Sequence, residues 1–223
     1  DYETCQFTHL QKHDLNLVLQ KRYALLNWQQ GSGKTAAAYH RAKYLLKFRK
    51  VRNVVILAPA IAINMTWDAF LKTNKERYRV IRTSKDLEDV PEGIFLIVST
   101  SMLGKLKRSL ARFIKLRSRK LCLIFDESDE ITNPNSQRTK YVLCLFRRLK
   151  YKLLDTGTTT RNNISELYSQ FELLYNNSVN MICRCDRIYR ENKEREIESE
   201  SNPYYGEPFP AFRGHVLFRA CHC

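Results

Sequence analysis

The chain has 223 residues, 43% hydrophobic and 27% charged, enough apolar content for a packed core and too much for global disorder. Lys and Arg number 38 against 23 Asp and Glu, so a net charge of +15 makes the surface attractive to polyanions. Seven Gly and six Pro exclude a fibrous or low-complexity protein, no apolar run reaches the roughly 18 to 20 residues that span a bilayer, and DYETCQFTHL lacks a signal-peptide core, so no membrane partner is expected.

Taken in chain order, the runs YALLNW (23–28), NVVILA (53–58), IFLIVS (94–99), LCLIFD (121–126) and YKLLD (151–155) are predicted strands. They are continuously apolar rather than alternating, as in strands covered on both faces. Helical periodicity fills the intervals at 34–48, 61–72, 101–117, 136–149 and 164–175. Strand and helix alternating in this way predict an α/β fold, a doubly wound parallel sheet, as one domain over 1–176. Residues 177–223 form an extension without an assigned fold: ENKEREIESESN (191–202) is densely charged and NPYYGEPFP (202–210) is turn-rich. The first residue is Asp, not Met, and the last four are ACHC, which reads as a piece of a longer protein. Seven cysteines without framework spacing fit free thiols in a reducing intracellular compartment, the nucleus or a bacterial or viral cytoplasm.

Ligands of doubly wound sheets bind at the carboxyl ends of the strands, here the loops after Trp28, Ala58, Ser99, Asp126 and Asp155. After the first strand comes Gln29-Gln30-Gly31-Ser32-Gly33-Lys34-Thr35, followed by the helical AAAYHRAKYLLKF. This is a G-K-T phosphate loop between strand and helix, with Trp28 where the full pattern has its first glycine. Gly31 and Gly33 let the backbone curl its N–H groups around phosphates, with Ser32 between them, and the helix N-terminus adds partial positive charge. Lys34 is suited to the β- and γ-phosphates and the Thr35 hydroxyl to Mg²⁺. Such a loop requires a carboxylate at the end of a neighbouring strand, and LCLIF runs into Asp126-Glu127-Ser128-Asp129. Asp126 is the candidate Mg²⁺ ligand and Glu127 the base for the attacking water. Read alone, the same four residues are also a good helix cap.

Three motifs in order, Gly31-Ser32-Gly33-Lys34-Thr35, Asp126-Glu127-Ser128-Asp129 and Thr156-Gly157-Thr158, resemble motifs I, II and III of superfamily 2 helicases. LLDTGTTTRNNISELYSQFELL (153–174), APAIAINMTWDAF (58–70), IVSTSML (97–103) and DESDEITNPNSQRTK (126–140) are similar to the Snf2-like branch, the double-stranded DNA translocases. The resemblance covers residues 6–175 and implies the N-terminal RecA-like, P-loop NTPase lobe of an enzyme that couples ATP hydrolysis, with Mg²⁺, to translocation along DNA. It implies that Gln11, 20 residues before Gly31, reads adenine. It further implies that Thr156, Gly157 and Thr158 couple the nucleotide to the DNA face, and that Pro59, Ala60, Thr100 and Ser101 touch the duplex backbone. The chain departs from the family at Asp129, where His is usual, at Thr-Gly-Thr-Thr instead of Thr-Gly-Thr-Pro, and at Asp155, where an uncharged residue is common. Nothing after residue 175 looks like motifs IV to VI, the second RecA-like lobe with its arginine finger, so weak ATP binding and poor hydrolysis are expected of this piece alone.

Basic residues concentrate in RAKYLLKFRKVR (41–52), KLKRSLARFIKLRSRK (105–120) and RRLKYK (147–152), read as nucleic-acid-facing surface or as solvated helix faces. In the second, Leu106, Leu110, Phe113 and Ile114 make an apolar stripe and leave Lys107, Arg108, Arg112, Lys115 and Arg119 outside. No base-reading element is visible, so DNA contact should be sequence-independent and salt-dependent. Cys183, Cys185, Cys221 and Cys223 form two C-x-C pairs that fit either a structural zinc site or free thiols, whereas Cys122 and Cys144 read as small core residues. An RNA helicase, the translocase of a restriction system, and a non-catalytic nucleotide- or nucleic-acid-binding module remain open beside the DNA translocase.

Overall fold

A computed structural model describes residues 7–157 and 166–175. Its elements are α1 His9–Leu19, β1 Tyr23–Asn27, α2 Lys34–Lys47, β2 Asn53–Ala58, α3 Ala60–Ala62, α4 Asp68–Thr73, β3 Tyr78–Ile81, β4 Phe95–Ser99, α5 Leu103–Arg117, β5 Leu121–Phe125, α6 Gln137–Phe146, β6 Tyr151–Thr156 and α7 Leu167–Leu174. The six strands form one sheet in the order β1-β6-β5-β2-β4-β3, and every neighbouring pair is parallel. The predicted α/β class and parallel sheet are what the chain adopts.

Continuous apolar runs are needed because alternate residues of each strand feed two separate cores. Val55, Leu57, Leu96, Val98, Leu123, Phe125 and Leu154 pack under α5, α6 and α7. Val54, Ile56, Ala58, Ile97, Cys122, Ile124 and Leu153 pack under α1, α2 and Trp67. All residues of β2, β4, β5 and β6 are buried, the signature of strands sandwiched between helix layers. The stripe Leu106, Leu110, Phe113 and Ile114 faces the first core as the spacing requires, and Lys107, Arg108, Arg112, Lys115 and Arg119 are exposed.

Two elements have no counterpart in the strand-and-helix reading. β3 is a four-residue edge strand, half-buried at three positions, so it carries too little apolar sequence to register as a buried run. α1 begins at a capping box in which the Thr8 hydroxyl accepts from Gln11 N–H and the Gln11 side chain accepts from Thr8 N–H at 2.7 Å. The predicted helix 61–72 is broken by a π-helical turn at Ile63–Trp67 between α3 and α4.

Three residues read as surface or core are placed otherwise. Arg41 is fully buried: its guanidinium donates to the carbonyls of Val18 (3.2 Å), Lys21 (2.8 Å) and Arg22 (3.3 Å). It thus satisfies the C-terminal end of α1 and the turn into β1 with a side chain from α2. Lys152 is also fully buried, donating to the Arg147 and Leu173 carbonyls at 2.6 Å each. With the Arg147–Glu172 ion pair at 2.9 Å, it ties α6 and α7 to β6. Of the two cysteines read as core, Cys122 is buried and Cys144 lies on the exposed side of α6.

Burial, then the neighbouring Arg147 charge, push the Lys152 ammonium down to about 7, with Glu172 opposing. In an unfolded chain a lysine titrates near ~10.4. Between these values the unfolded state holds a proton that the folded state lacks, so stability rises with pH above about 7 and is flat in this group below it. Denaturant titrations at about pH 7 and about pH 9 should therefore show wild type gaining on Lys152→Met, by at most about 1.4 kcal/mol per pH unit. A wild-type-minus-variant difference that does not move with pH contradicts this account of Lys152.

Candidate functional site at the carboxyl edge of the sheet

Because β6 lies between β1 and β5, the loops that follow these three strands are neighbours. Asn27 at the end of β1 pairs with Thr156, and Phe125 at the end of β5 pairs with Leu154. In the loop after β1, Gly31 and Gly33 have φ of +76° and +81°, the left-handed region that glycine enters without steric cost. Lys34 opens α2 and is buried, its Nζ donating to the carbonyls of Trp28 (3.0 Å) and Gln29 (3.2 Å) across the mouth of the loop. Thr35 is half-buried beside it. Gln11 lies against the loop, its Nε2 donating to the Ser32 carbonyl at 2.7 Å, so α1 and the loop are held by one side-chain amide. That bond uses one of the two N–H groups of the Gln11 amide and leaves the other for a ligand.

The loop after β5 supplies the acids. Asp126 is buried, and its Oδ2 accepts the indole N–H of fully buried Trp67 at 2.7 Å. Trp67 closes the π-helical turn, a distortion that frequently marks functional positions, and it fixes one carboxylate oxygen of the candidate metal ligand. Glu127 sits in the left-handed region at φ +53°, a conformation that costs a non-glycine residue energy, and its carboxylate accepts from the Gly157 N–H. Burial first, then Asp126 and Asp129, raise the Glu127 carboxyl above its ordinary range, while Lys34 and the Gly157 bond act against them. Ser128 donates to Gln170 Oε1 at 3.1 Å in the interior, so α7 props the acidic loop from behind. Thr156 is buried, and Gly157 lies beside Gln30 and Lys34: a Cβ there would come 3.2 Å from Gln30 Cγ and 3.6 Å from Lys34 Nζ. Asp155 is fully buried and no donor group reaches either oxygen, its polar neighbour being the Asp126 carboxylate. Burial, then Asp126, raise its carboxyl well above the usual range. Sequence reasoning missed Trp67 and Gln170 as site residues. The lone indole in the run after β2 was the available signal for Trp67, and Gln170 had none.

The other half of the same edge, after β2, β4 and β3, carries a groove of about 430 Å³ lined by Ala60, Asn64, Arg82, Thr83, Ser101 and Lys105, among others. Of the four residues that the resemblance implicates in backbone contact, Ala60 and Ser101 are exposed on its rim, Pro59 is half-buried and Thr100 is buried. Arg82 and Lys105, absent from that set, bring two exposed cations to the groove. A second cavity, about 520 Å³ and lined by Arg52, Lys115, Arg119 and Lys120, opens at the opposite edge near the start of β2, away from the acids. Thr158 and the cysteines at 183, 185, 221 and 223 lie outside the described residues. Among the described residues no three His, Cys, Asp or Glu side chains gather as a metal site, and no helix is long and apolar enough to cross a membrane.

The profile of one protein family, the type III restriction enzyme res subunit, matches residues 4–161. The chain belongs to this family. No curated protein matches the sequence. Among solved structures, the chain is similar to the Sulfolobus solfataricus SWI2/SNF2 ATPase core in complex with dsDNA, at 19% identity over 76% of this chain with a TM-score of 0.62. It is likewise similar to the Sulfolobus solfataricus SWI2/SNF2 ATPase core domain, at 21% identity over 77% with a TM-score of 0.57. These likenesses establish the RecA-like lobe as the fold. The chain spans 36% and 35% of those two proteins, about a third of their length.

The residues at the edge fit a nucleotide with Mg²⁺. The donors available to a metal, the Thr35 hydroxyl and the Asp126 carboxylate, are hard oxygens of the kind Mg²⁺ takes alongside substrate phosphates and water. Trp67 orients one of them, so Trp67→Phe, which keeps the aromatic bulk but lacks the N–H, should weaken Mg²⁺-dependent nucleotide binding by about 10-fold. Titration calorimetry should show metal-free nucleotide binding unchanged, and equal loss with and without metal would mean that Trp67 acts through packing alone.

Proposed function

We propose that this lobe binds ATP with Mg²⁺ at the ends of β1, β5 and β6, and that in the complete protein hydrolysis there drives movement along duplex DNA. The observation that carries the reading is convergence. The left-handed glycines of the phosphate loop, the buried Lys34, the Trp67-held Asp126 and the Gly157-held Glu127 come from three loops that adjoin only because β6 is inserted between β1 and β5.

The roles follow from chemistry at each atom. The N–H groups of the loop and of the first turn of α2 face the phosphates, and Lys34 exchanges its two carbonyl partners for the β- and γ-oxygens. Asp126 and Thr35 hold Mg²⁺, which when bound neutralises phosphate charge. Glu127 accepts a proton from the attacking water as the new bond to the γ-phosphorus forms. The bond from that phosphorus to the β–γ bridging oxygen then breaks, leaving ADP and phosphate. A carboxyl raised above its ordinary range is the better base for this task. Gly157 reports through the Glu127 bond to Thr156, which fits the coupling role that the resemblance gives to motif III. A second lobe, supplied outside these residues, would close on the nucleotide and add the arginine finger.

Duplex DNA is the favoured track over RNA, since the family is one of restriction enzymes and the solved Sulfolobus core was seen with dsDNA. A restriction-type translocase is therefore the specific form that this reading takes. The +15 charge and the Arg82 and Lys105 groove support sequence-independent contact with phosphates.

Two measurements test the proposal. Glu127→Gln in the complete protein should cut DNA-stimulated ATP turnover by about 10²- to 10⁴-fold and leave ATP affinity within about twofold of wild type. Lys34→Ala should instead lose ATP binding, whereas a non-catalytic module would show no turnover for Glu127→Gln to remove. For the track, Arg82→Ala and Lys105→Ala should each reduce the slope of log affinity against log salt by about 1, equally for unrelated duplex sequences. An unchanged slope in both variants removes the groove from the DNA path.

A further inference from the structure

We propose that Asp155 is the second carboxylate of the Mg²⁺ site, acting with Asp126 to hold the ion or its water shell; this rests on the nucleotide reading above. The inference starts from a physical anomaly. Asp155 is the last residue but one of β6, it has no exposed surface, and no donor group reaches either of its oxygens, its polar neighbour being the Asp126 carboxylate. Among the described residues no other side chain has two buried oxygens in that state. An isolated carboxyl in a protein interior costs several kcal/mol as an anion, and such groups are held where a partner offsets the cost.

The surroundings identify the partner. The groups acting on Asp155 are Asp126, Lys34 and Glu127, which are the phosphate-site residues themselves. Lys34 is the one cation among the groups that act on Asp155, and it already serves the Trp28 and Gln29 carbonyls. Asp126 has Oδ2 committed to Trp67, which leaves Oδ1 for a ligand. Two adjacent carboxylates in a low-dielectric interior repel strongly, and a small divalent cation is the ligand that reverses the sign of their interaction. Hard oxygens in a pair, with a hydroxyl nearby at Thr35, match Mg²⁺ and Mn²⁺ rather than zinc, which prefers nitrogen and sulfur. The chain places this carboxylate where the resembled family commonly has an uncharged residue, so the pair is a property of this chain.

A purely structural role makes a different forecast. If Asp155 serves only as a neutral acid donating to Asp126, the isosteric Asp155→Asn supplies the same donor and nothing about the metal changes. The test uses the full 223-residue chain with saturating ADP and follows free Mn²⁺ by its EPR signal, with melting curves taken with and without Mn²⁺. Asp155→Asn should bind Mn²⁺ about 10- to 100-fold more weakly, melt no lower than wild type without metal, and lose most of the Mn²⁺-induced rise in Tm. ADP affinity without metal should be unchanged. Mn²⁺ affinity within about twofold of wild type overturns the second carboxylate while leaving the nucleotide reading intact. A wild-type chain that binds neither ADP nor Mn²⁺ overturns both.

Discussion

All six strands run the same way, and from that constraint the rest of the molecule follows. A parallel sheet needs a crossover between every pair of strands, so both faces are covered by helices and both must be apolar. It also sends every carboxyl end to one edge, where backbone groups beyond the last ladder bond are free to meet a ligand. Insertion of β6 between β1 and β5 then decides what that edge can do. It sets the phosphate loop, the acidic loop and the Thr156–Gly157 loop side by side, and it leaves the ends of β2, β4 and β3 as a separate basic groove.

Side chains of the two halves of the edge are joined by a buried hydrogen bond from Trp67 Nε1 to Asp126 Oδ2, beside the bond that Asp126 N–H donates to the Leu57 carbonyl of β2. Trp67 belongs to the segment that lines the groove, and Asp126 belongs to the acidic loop. A shift of the α3–α4 segment must therefore either carry the carboxylate with it or break the bond. Breaking it would leave an indole N–H and a carboxylate oxygen unsatisfied in the interior, which costs about 1 to 3 kcal/mol or more. Glu127 has a parallel tether to Gly157, and Ser128 one to Gln170 on α7. Consecutive residues of the acidic loop are thus tied to three different elements, so a displacement of the groove segment is felt first at that loop.

What was legible in the sequence is what depends on local pattern. Continuous apolar runs gave five of the six strands, and glycine, lysine and carboxylates at fixed places marked loops that the sheet brings together. β3 was illegible because an edge strand half-open to solvent needs only a short, mixed sequence. Arg41 and Lys152 were misread because a basic run along a helix or strand carries no sign of which member turns inward to satisfy backbone carbonyls. Trp67, Gln170 and the surroundings of Asp155 depend on side chains distant in the chain: Trp67 and Asp126 are 59 positions apart, and Ser128 and Gln170 are 42. Only tertiary packing brings Trp67 to Asp126 and Ser128 to Gln170.

The charge of the chain and the charge of its site have opposite signs, and this constrains how a nucleotide can bind. Over the whole chain the excess is +15, a field that draws polyanions toward the surface from any side. At the ends of β5 and β6, however, Asp126, Glu127, Asp129 and Asp155 stand within one another's influence, with Lys34 the cation that acts on them. A triphosphate arriving alone would meet net negative charge in a partly desolvated pocket, where screening by salt is weak. Long-range attraction therefore brings the ligand to the edge without securing it there. A divalent cation carried in with the phosphates would offset that repulsion, so on this reading the basic surface recruits the nucleotide and the metal strengthens its retention.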